Sequence, residues 1–382
     1  MTVTPFTLTT DPAALDDLRA RLRSARWPEP GSGPGWGLGA DVEYLRDLAA
    51  YWADGFDWSE HEAALNTLPH VRVKVGGHDL HVVHARAGAS GYPLLLAHGW
   101  PDSFWRYSKV IDLLTDPGAH GGDPADAFDV VVPDMPGYGY SPAPVGAPLS
   151  TVDVAGLYAD LMTTLGYETF GAAGGDIGSG VVRYLALDHP TRVSAVHRID
   201  AGMPTFTGDR SELSEEEREF LRAADSWRDR EGAYAAMHRT KPQTAAVGLA
   251  DSPVGLLAWI VEKLRAWSDC HGDVESSFTR DEILTNVTIY WLTNTIGSAM
   301  RMYSANAAIP AEQAERRVET PSGFALFPAD LVTPPRAWLE RTTELVRVSE
   351  MPRGGHFAPF EEPELYAREL REFFRPYRGR RP

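Results

Sequence analysis

A single cysteine, Cys270, stands in a chain of 382 residues, which excludes an intramolecular disulfide and any metal site built from cysteines. No apolar run approaches the about 18 residues that a bilayer-spanning helix requires. Positive charge is scarce: 36 Lys and Arg stand against 53 Asp and Glu, a net charge of −17 at pH 7. That balance argues against nucleic acid and anionic membranes as partners. The first residues, MTVTPFTLTTDPAALDD, lack a basic region followed by an apolar stretch. No signal peptide is expected, and the default is a soluble, cytoplasmic protein. What is present is ordinary globular material, and 43% hydrophobic residues with 11 Trp are ample for a large core.

Residues 11–27 read as a helix, with Asp11 as N-cap, Pro12 at the first helical position, and Leu15, Leu18 and Leu22 on one face. Pro28 and the GSGPGWGLG run over 31–39 end it in a loop. A second helix over 41–53 places Val42, Leu45, Leu48 and Trp52 on one side, and a short third spans 56–66. Alternation at Val71, Val73 and Val75, a turn at Gly76-Gly77, and resumption through Leu80 and Val82 predict a β-hairpin. From Pro93 the texture changes to short apolar runs separated by helices: 94–97, 130–132, the approach to 171, and 193–199. Such runs belong to a parallel sheet covered on both faces, so the predicted fold class is α/β. Residues 204–318 break that rhythm. SELSEEEREFLRAADSW, VGLLAWIVEKLRAWSD and DEILTNVTIYWLTNTIGSAMRMY are helical patterns with no strand signal between them, and an insertion of this kind reads as a lid. The sheet is predicted to resume at 324–327 and 345–348, before a last helix over 363–374.

Residues 171–180, GAAGGDIGSG, organise the rest. A strand-like approach leads in and a helical pattern over 177–187 leads out. Gly174, Gly178 and Ser179 surround a sharp turn that only small side chains allow. This is the nucleophile-elbow pattern with Asp176 in the nucleophile's place. A carboxylate there attacks carbon and leaves an alkyl–enzyme ester for water to cleave. The alternative is a glycine-rich turn whose Asp caps the helix. Loops after other predicted strands supply partners. His98-Gly99-Trp100-Pro101 follows the first buried strand, where backbone N–H groups can face developing negative charge, and Ile177 N–H is the second natural donor. His98 itself, ahead of the nucleophile, reads as structural, and Trp100-Pro101 admits a cis bond. Gly354-Gly355-His356-Phe357 sets an imidazole on a loop with room for water, as a general base requires. Asp330, in Phe327-Pro328-Ala329-Asp330, can hold that imidazole's tautomer. The order 176, 330, 356 is nucleophile, acid, base, as in α/β-hydrolases.

With these motifs the sequence resembles the epoxide hydrolases of the α/β-hydrolase superfamily, in the branch of the microsomal and juvenile hormone epoxide hydrolases. The resemblance covers nearly the whole chain. PFTLTTDPAALDDLRARLRSARWP, YWADGFDW and LNTLPHVRVKVGGHDLHVVHAR are similar to the family's N-terminal wrapping segment. HGWP, PGYGYS (136–141), GGDIGS, TKPQT (240–244), DSPVGLLAWIVEKLRAW, MRMYSAN and GGHF follow in the family's order. The resemblance implies a mostly parallel central sheet flanked by helices. Its expected layout is an N-terminal segment (1–88), a first part of the core (89–203), a helical lid (204–318) and a second part of the core (319–382). It implies Asp176 as nucleophile, His356 as base and Asp330 as acid. Two lid tyrosines polarise the epoxide oxygen in this family. Tyr303 in MRMYSAN matches one, and Tyr234, six residues before Thr240 in less distinctive surroundings, matches the other by spacing. A neutral phenol can donate to that oxygen and yield its proton as an alkoxide forms. Membrane-bound relatives carry an N-terminal anchor; this chain begins almost at the wrapping segment, so no anchor is expected.

The implied reaction takes a small-molecule epoxide and water to a vicinal diol, with the Trp100 and Ile177 N–H groups holding the oxyanion and no metal or organic cofactor. Two alternatives stand beside it. A haloalkane dehalogenase-like hydrolase shares the Asp nucleophile but typically carries an indole directly after it, where this chain has Ile177. A catalytically silent ligand-binding protein on the same fold would not require Asp176, His356 and Asp330 together. Trp227, Trp259, Trp267 and Trp291 in the lid fit an apolar or aromatic epoxide, although lid–core packing is the commoner use of such rings. Detoxification and natural-product biosynthesis both remain open, as does a homo-oligomer.

Overall fold

A computed structural model describes residues 2–29, 35–88 and 91–378. Nine strands form one sheet: β1 (Val3–Pro5), β2 (His70–Val75), β3 (His78–Ala85), β4 (Tyr92–Ala97), β5 (Phe128–Pro133), β6 (Phe170–Gly174), β7 (Val193–Arg198), β8 (Val318–Leu326) and β9 (Thr343–Glu350). Their order is β1-β2-β3-β5-β4-β6-β7-β8-β9. Pairing is antiparallel from β1 to β5 and parallel from β5 onward. The apolar runs of β4 and β5 are fully buried, as expected where helices cover both faces. Helices Thr151–Thr164 and Ile177–Asp188 pack together against the sheet, and Pro363–Phe374 packs with Ile111–Thr115. From β4 the chain steps out to β5 and then returns across β4 to β6. The loops after β4 and β6 therefore leave neighbouring strands on opposite routes, the position where ligands of open α/β sheets are bound.

The β2–β3 hairpin turns at Gly76 (φ +55°) and Gly77 (φ +80°), the two left-handed residues of a type I′ turn. The first three helices are Pro12–Arg23, Val42–Asp54 and Trp58–Leu65, so the first stops short of residue 27. Of the expected loop at 31–39, residues 31–34 lie outside the described residues and Gly35–Leu38 form a 3₁₀ turn. Three elements carry no clear sequence signal. β1 is three exposed residues held only by pairing with β2. Helix Thr151–Thr164, opened by a capping box of Ser150 and Asp153, lacks a strong amphipathic pattern because its surroundings bury several sides. β8 begins at Val318, ahead of the expected 324, because Pro321 and two register shifts interrupt its alternation.

Between β7 and β8 the chain is helical, with the larger helices at Glu215–Glu231, Pro253–Trp267, Arg280–Thr293 and Ile296–Asn306. Ser214 with Glu217 and Thr279 with Glu282 form capping boxes that start two of them. No single helix among the described residues is long and apolar enough to cross a membrane. The N-terminal segment is fastened to these helices as well as to the sheet. Trp52 Nε1–H donates to Thr288 Oγ1 at 3.0 Å, and Tyr51 O–H donates to Asp281 Oδ1 at 2.7 Å. Trp52 is 2% exposed, so its loss leaves a buried hydroxyl without a partner. Trp52→Phe is expected to cost about 1–3 kcal/mol, read as a lower urea midpoint. An unchanged midpoint would show that this contact does not couple the two parts.

Candidate active site

Asp176 joins β6 to helix Ile177–Asp188 with φ +56° and ψ −129°, a conformation that costs a non-glycine residue about 1–3 kcal/mol. Close packing holds it there. A Cβ on Gly178 would lie 2.0 Å from the Ala97 carbonyl oxygen, and one on Gly99 would lie 2.3 Å from Asp176 Oδ1. Asp200, at the end of β7 and 9% exposed, accepts the Asp176 N–H at 2.7 Å and the Gly202 N–H at 2.8 Å. Burial and the nearby Asp330 charge push the Asp200 carboxyl up. Asp176 makes no side-chain cap on its helix, which disposes of the capping alternative. Its Oδ1 instead accepts the Trp100 N–H at 2.8 Å, with the Ile177 N–H as a further donor to the carboxylate.

The carboxylate's other oxygen, Oδ2, lies 3.2 Å from His356 Nε2, and His356 Nδ1 lies 2.7 Å from Asp330 Oδ1. Asp330 also accepts the Leu331 N–H at 2.7 Å, and Ala329 N–H donates to Gly354 carbonyl at 3.1 Å, joining the two loops. Burial disfavours charge on both Asp176 and His356. For His356, the Asp330 charge and the bond to Asp176 outweigh it, and its pKa is raised to about 10. For Asp176, the bond and charge of His356 and the two N–H groups outweigh it, and the carboxyl is held below its ordinary range. Asp176 keeps 12% side-chain exposure, against 2% for His356 and 7% for Asp330.

Tyr234 stacks on Trp100 with centroids 5.2 Å apart, and Tyr303 lies 6.0 Å from Tyr234 and 6.2 Å from Trp100. The two phenols lie close enough to influence each other's protonation. Burial first, and then neighbouring groups including Asp176, push both above the ordinary phenol value, so both stay protonated donors. Trp100-Pro101 is cis. All seven positions singled out in the sequence thus meet in one place. His98 lies behind them: its Nε2 accepts the Met135 N–H at 3.0 Å, and burial lowers its pKa, leaving it neutral and structural.

Other residues around the site carried no legible signal. Arg106, 2% exposed, donates to Asp102 and to the His356 carbonyl, tying the loop after β4 to the histidine loop. Asp134 accepts from Phe104 N–H and Tyr140 N–H, which places the PGYGYS turn. His238, one turn after Tyr234 and fully buried, sits 4.8 Å from Tyr303 and accepts Trp259 Nε1–H at 3.2 Å. Of the four tryptophans singled out between β7 and β8, Trp267 packs on Trp100, Tyr234 and His356, with Trp227 behind it. Trp291 instead lies under Arg21 of the N-terminal segment.

An acidic residue on a strand-to-helix elbow, with a histidine and a second acid following in chain order, defines an α/β-hydrolase with carboxylate in place of serine. Two family models match: one described as the epoxide hydrolase N terminus over residues 3–107, and the alpha/beta hydrolase fold over 92–295. Epoxide hydrolase 1 of Oryctolagus cuniculus is 35% identical, over 97% of this chain and 88% of its own. Juvenile hormone epoxide hydrolase 1 of Ctenocephalides felis is 30% identical, over 97% and 85%. Among solved structures, the juvenile hormone epoxide hydrolase of the silkworm Bombyx mori superposes with a TM-score of 0.90 at 27% identity, covering 99% of this chain and 95% of that one. The chain belongs to the epoxide hydrolase family, and it is an enzyme of that class.

The His356 ion pairs have a pH signature. A histidine raised from about 6.5 to about 10 stabilises the fold fully below pH 6.5, and that stability is lost as pH rises through 10. Asp176→Asn removes one of its two carboxylates. The gap in unfolding free energy between wild type and this variant should therefore shrink as pH climbs toward 10. A gap independent of pH would show that His356 is not held protonated by Asp176.

Proposed function

We propose that this enzyme hydrolyses an apolar or aryl epoxide through a covalent ester on Asp176. The observation that carries the reading is the division of labour between the two carboxylate oxygens. Oδ1 is held by Trp100 N–H while Oδ2, paired with His356 Nε2 at 3.2 Å, is the nucleophile. Oδ2 attacks an epoxide carbon as the C–O bond breaks, and Tyr303 and Tyr234 donate to the departing oxygen. The ester retains Oδ1 as its carbonyl, already accepting the Trp100 N–H, and the tetrahedral oxyanion forms there with the Ile177 N–H as the second donor.

Esterification consumes the Asp176 charge, one of the two that hold His356 protonated. Once the ring is open, His356 releases its proton through water to the phenol that protonated the alkoxide. The neutral imidazole is a base for the next step, with Asp330 keeping its Nδ1–H oriented. Water, deprotonated by Nε2, attacks Cγ, and the Cγ–Oδ2 bond breaks as the imidazolium returns that proton to Oδ2. The diol leaves with Oδ2, and the proton of the new carboxyl passes to His356 to restore the resting pair. Aromatic walls from Trp100, Trp267 and Tyr234 favour an apolar substrate, and the helices between β7 and β8 act as the lid that bears the last two.

Diol formation from styrene oxide is the direct assay. Asp176→Ala should abolish it, and Tyr303→Phe should lower kcat by about 10²-fold. A single turnover in ¹⁸O-water should put label in the Asp176 carboxylate rather than in the diol. Label in the diol alone would mean direct attack of water on the epoxide and would remove the covalent step.

A further inference from the structure

The loop bearing His356 runs from β9 into the short helix Ala358–Glu361, and the N–H groups around the imidazole all bond outside the loop. Gly354 N–H donates to Asp269 Oδ2 at 2.9 Å, and His356 N–H to the Trp267 carbonyl at 2.8 Å. Gly355 N–H donates to Glu361 Oε2 at 3.1 Å, and Phe357 N–H to Glu361 Oε1 at 2.8 Å. Glu361 Oε2 also accepts the Asp269 N–H at 2.8 Å. One carboxylate thus takes three backbone donors, two flanking His356 and one just beyond lid helix Pro253–Trp267. The fit leaves no slack, since a Cβ on Gly355 would lie 2.7 Å from the Trp267 carbonyl oxygen.

We propose that Glu361 is a positioning residue for the ester-hydrolysis half of the reaction, holding the histidine loop on both sides of His356 and against the end of the lid helix. Burial works against the charge that this clamp requires, pushing the Glu361 carboxyl up to about 7 even with three N–H groups to accept. The inference rests on the covalent-ester reading. Opening of the epoxide by Asp176 asks no proton transfer of His356. Ester hydrolysis places a water between imidazole and Cγ, where displacement by an ångström can cost about 10²-fold. A loosened loop therefore acts on one half-reaction.

The test is rapid mixing of the full-length protein with styrene oxide, following the fluorescence of the site tryptophans. Wild type, Glu361→Gln and Asp269→Ala are compared. Gln keeps the shape of Glu361 but sets an amide NH₂ against one of the backbone donors; Asp269→Ala removes the acceptor of Gly354 N–H, together with the carboxylate 3.8 Å from the exposed His271 Nε2. In Glu361→Gln, ester formation should stay within about threefold of wild type while breakdown slows about tenfold or more, so that kcat and KM fall together. Asp269→Ala should slow the same step by less, and carries the test if Glu361→Gln does not fold. Three results would overturn the role: breakdown unchanged, formation and breakdown slowed alike, or only a smaller active fraction with wild-type rate constants. Absence of ester in the wild type would instead overturn the covalent mechanism, and the role with it.

Discussion

A carboxylate withdrawn from water must find replacement solvation in the protein, and the Asp176 charge sets that requirement here. The replacement comes from four places in the chain: the N–H groups after β4, the N–H that starts the elbow helix, the imidazole after β9, and through it the acid after β8. All but the Ile177 N–H come from outside Asp176's own segment. The parallel sheet makes the arrangement possible, because it delivers the ends of β4, β6, β8 and β9 to one edge. The elbow's left-handed backbone turns the carboxylate away from a capping position and toward those donors, and Asp200 holds that backbone by its N–H.

The same charge sorts its neighbours. It helps to keep His356 protonated and both phenols neutral, so that in the resting state the tyrosines are donors and the imidazole is not yet a base. Ester formation would reverse only the histidine's state. In the proposed mechanism, charge consumed in one step prepares the group needed for the next. The scaffold around it is correspondingly tight. Arg106 fastens the histidine loop to the loop after β4, and Glu361 and Asp269 fasten it to the end of helix Pro253–Trp267.

Relatives among the epoxide hydrolases extend over almost the whole chain, the N-terminal segment included. That segment is more than an appendage to the sheet. β1 and β2 extend the antiparallel edge, and the helix Val42–Asp54 bonds through Tyr51 and Trp52 to helix Arg280–Thr293. The helix that bears Tyr303 lies next along the chain, so the segment braces the helices between β7 and β8 as well as the sheet.

Much of this was legible in the residues themselves. Gly174, Gly178 and Ser179 around Asp176 announce an elbow because only small groups tolerate a contact such as that of Gly178 with the Ala97 carbonyl. Asp330 and His356 could be named because each follows an apolar run in the order the fold demands, and Gly76-Gly77 because a two-residue hairpin needs left-handed backbone at both positions. β1 and the start of β8 were not legible, since pairing with a neighbour rather than side-chain pattern makes them strands. Asp200, Arg106, His238 and Glu361 were hidden for a related reason. A buried Asp accepting backbone N–H groups and an Asp in a surface turn are the same letter in the same kind of neighbourhood. Local sequence therefore determined the elbow, the turn chemistry and the order of the reacting groups, which depend on the size and charge of adjacent residues. Tertiary structure alone decided which polar groups lost their water and which distant backbone replaced it.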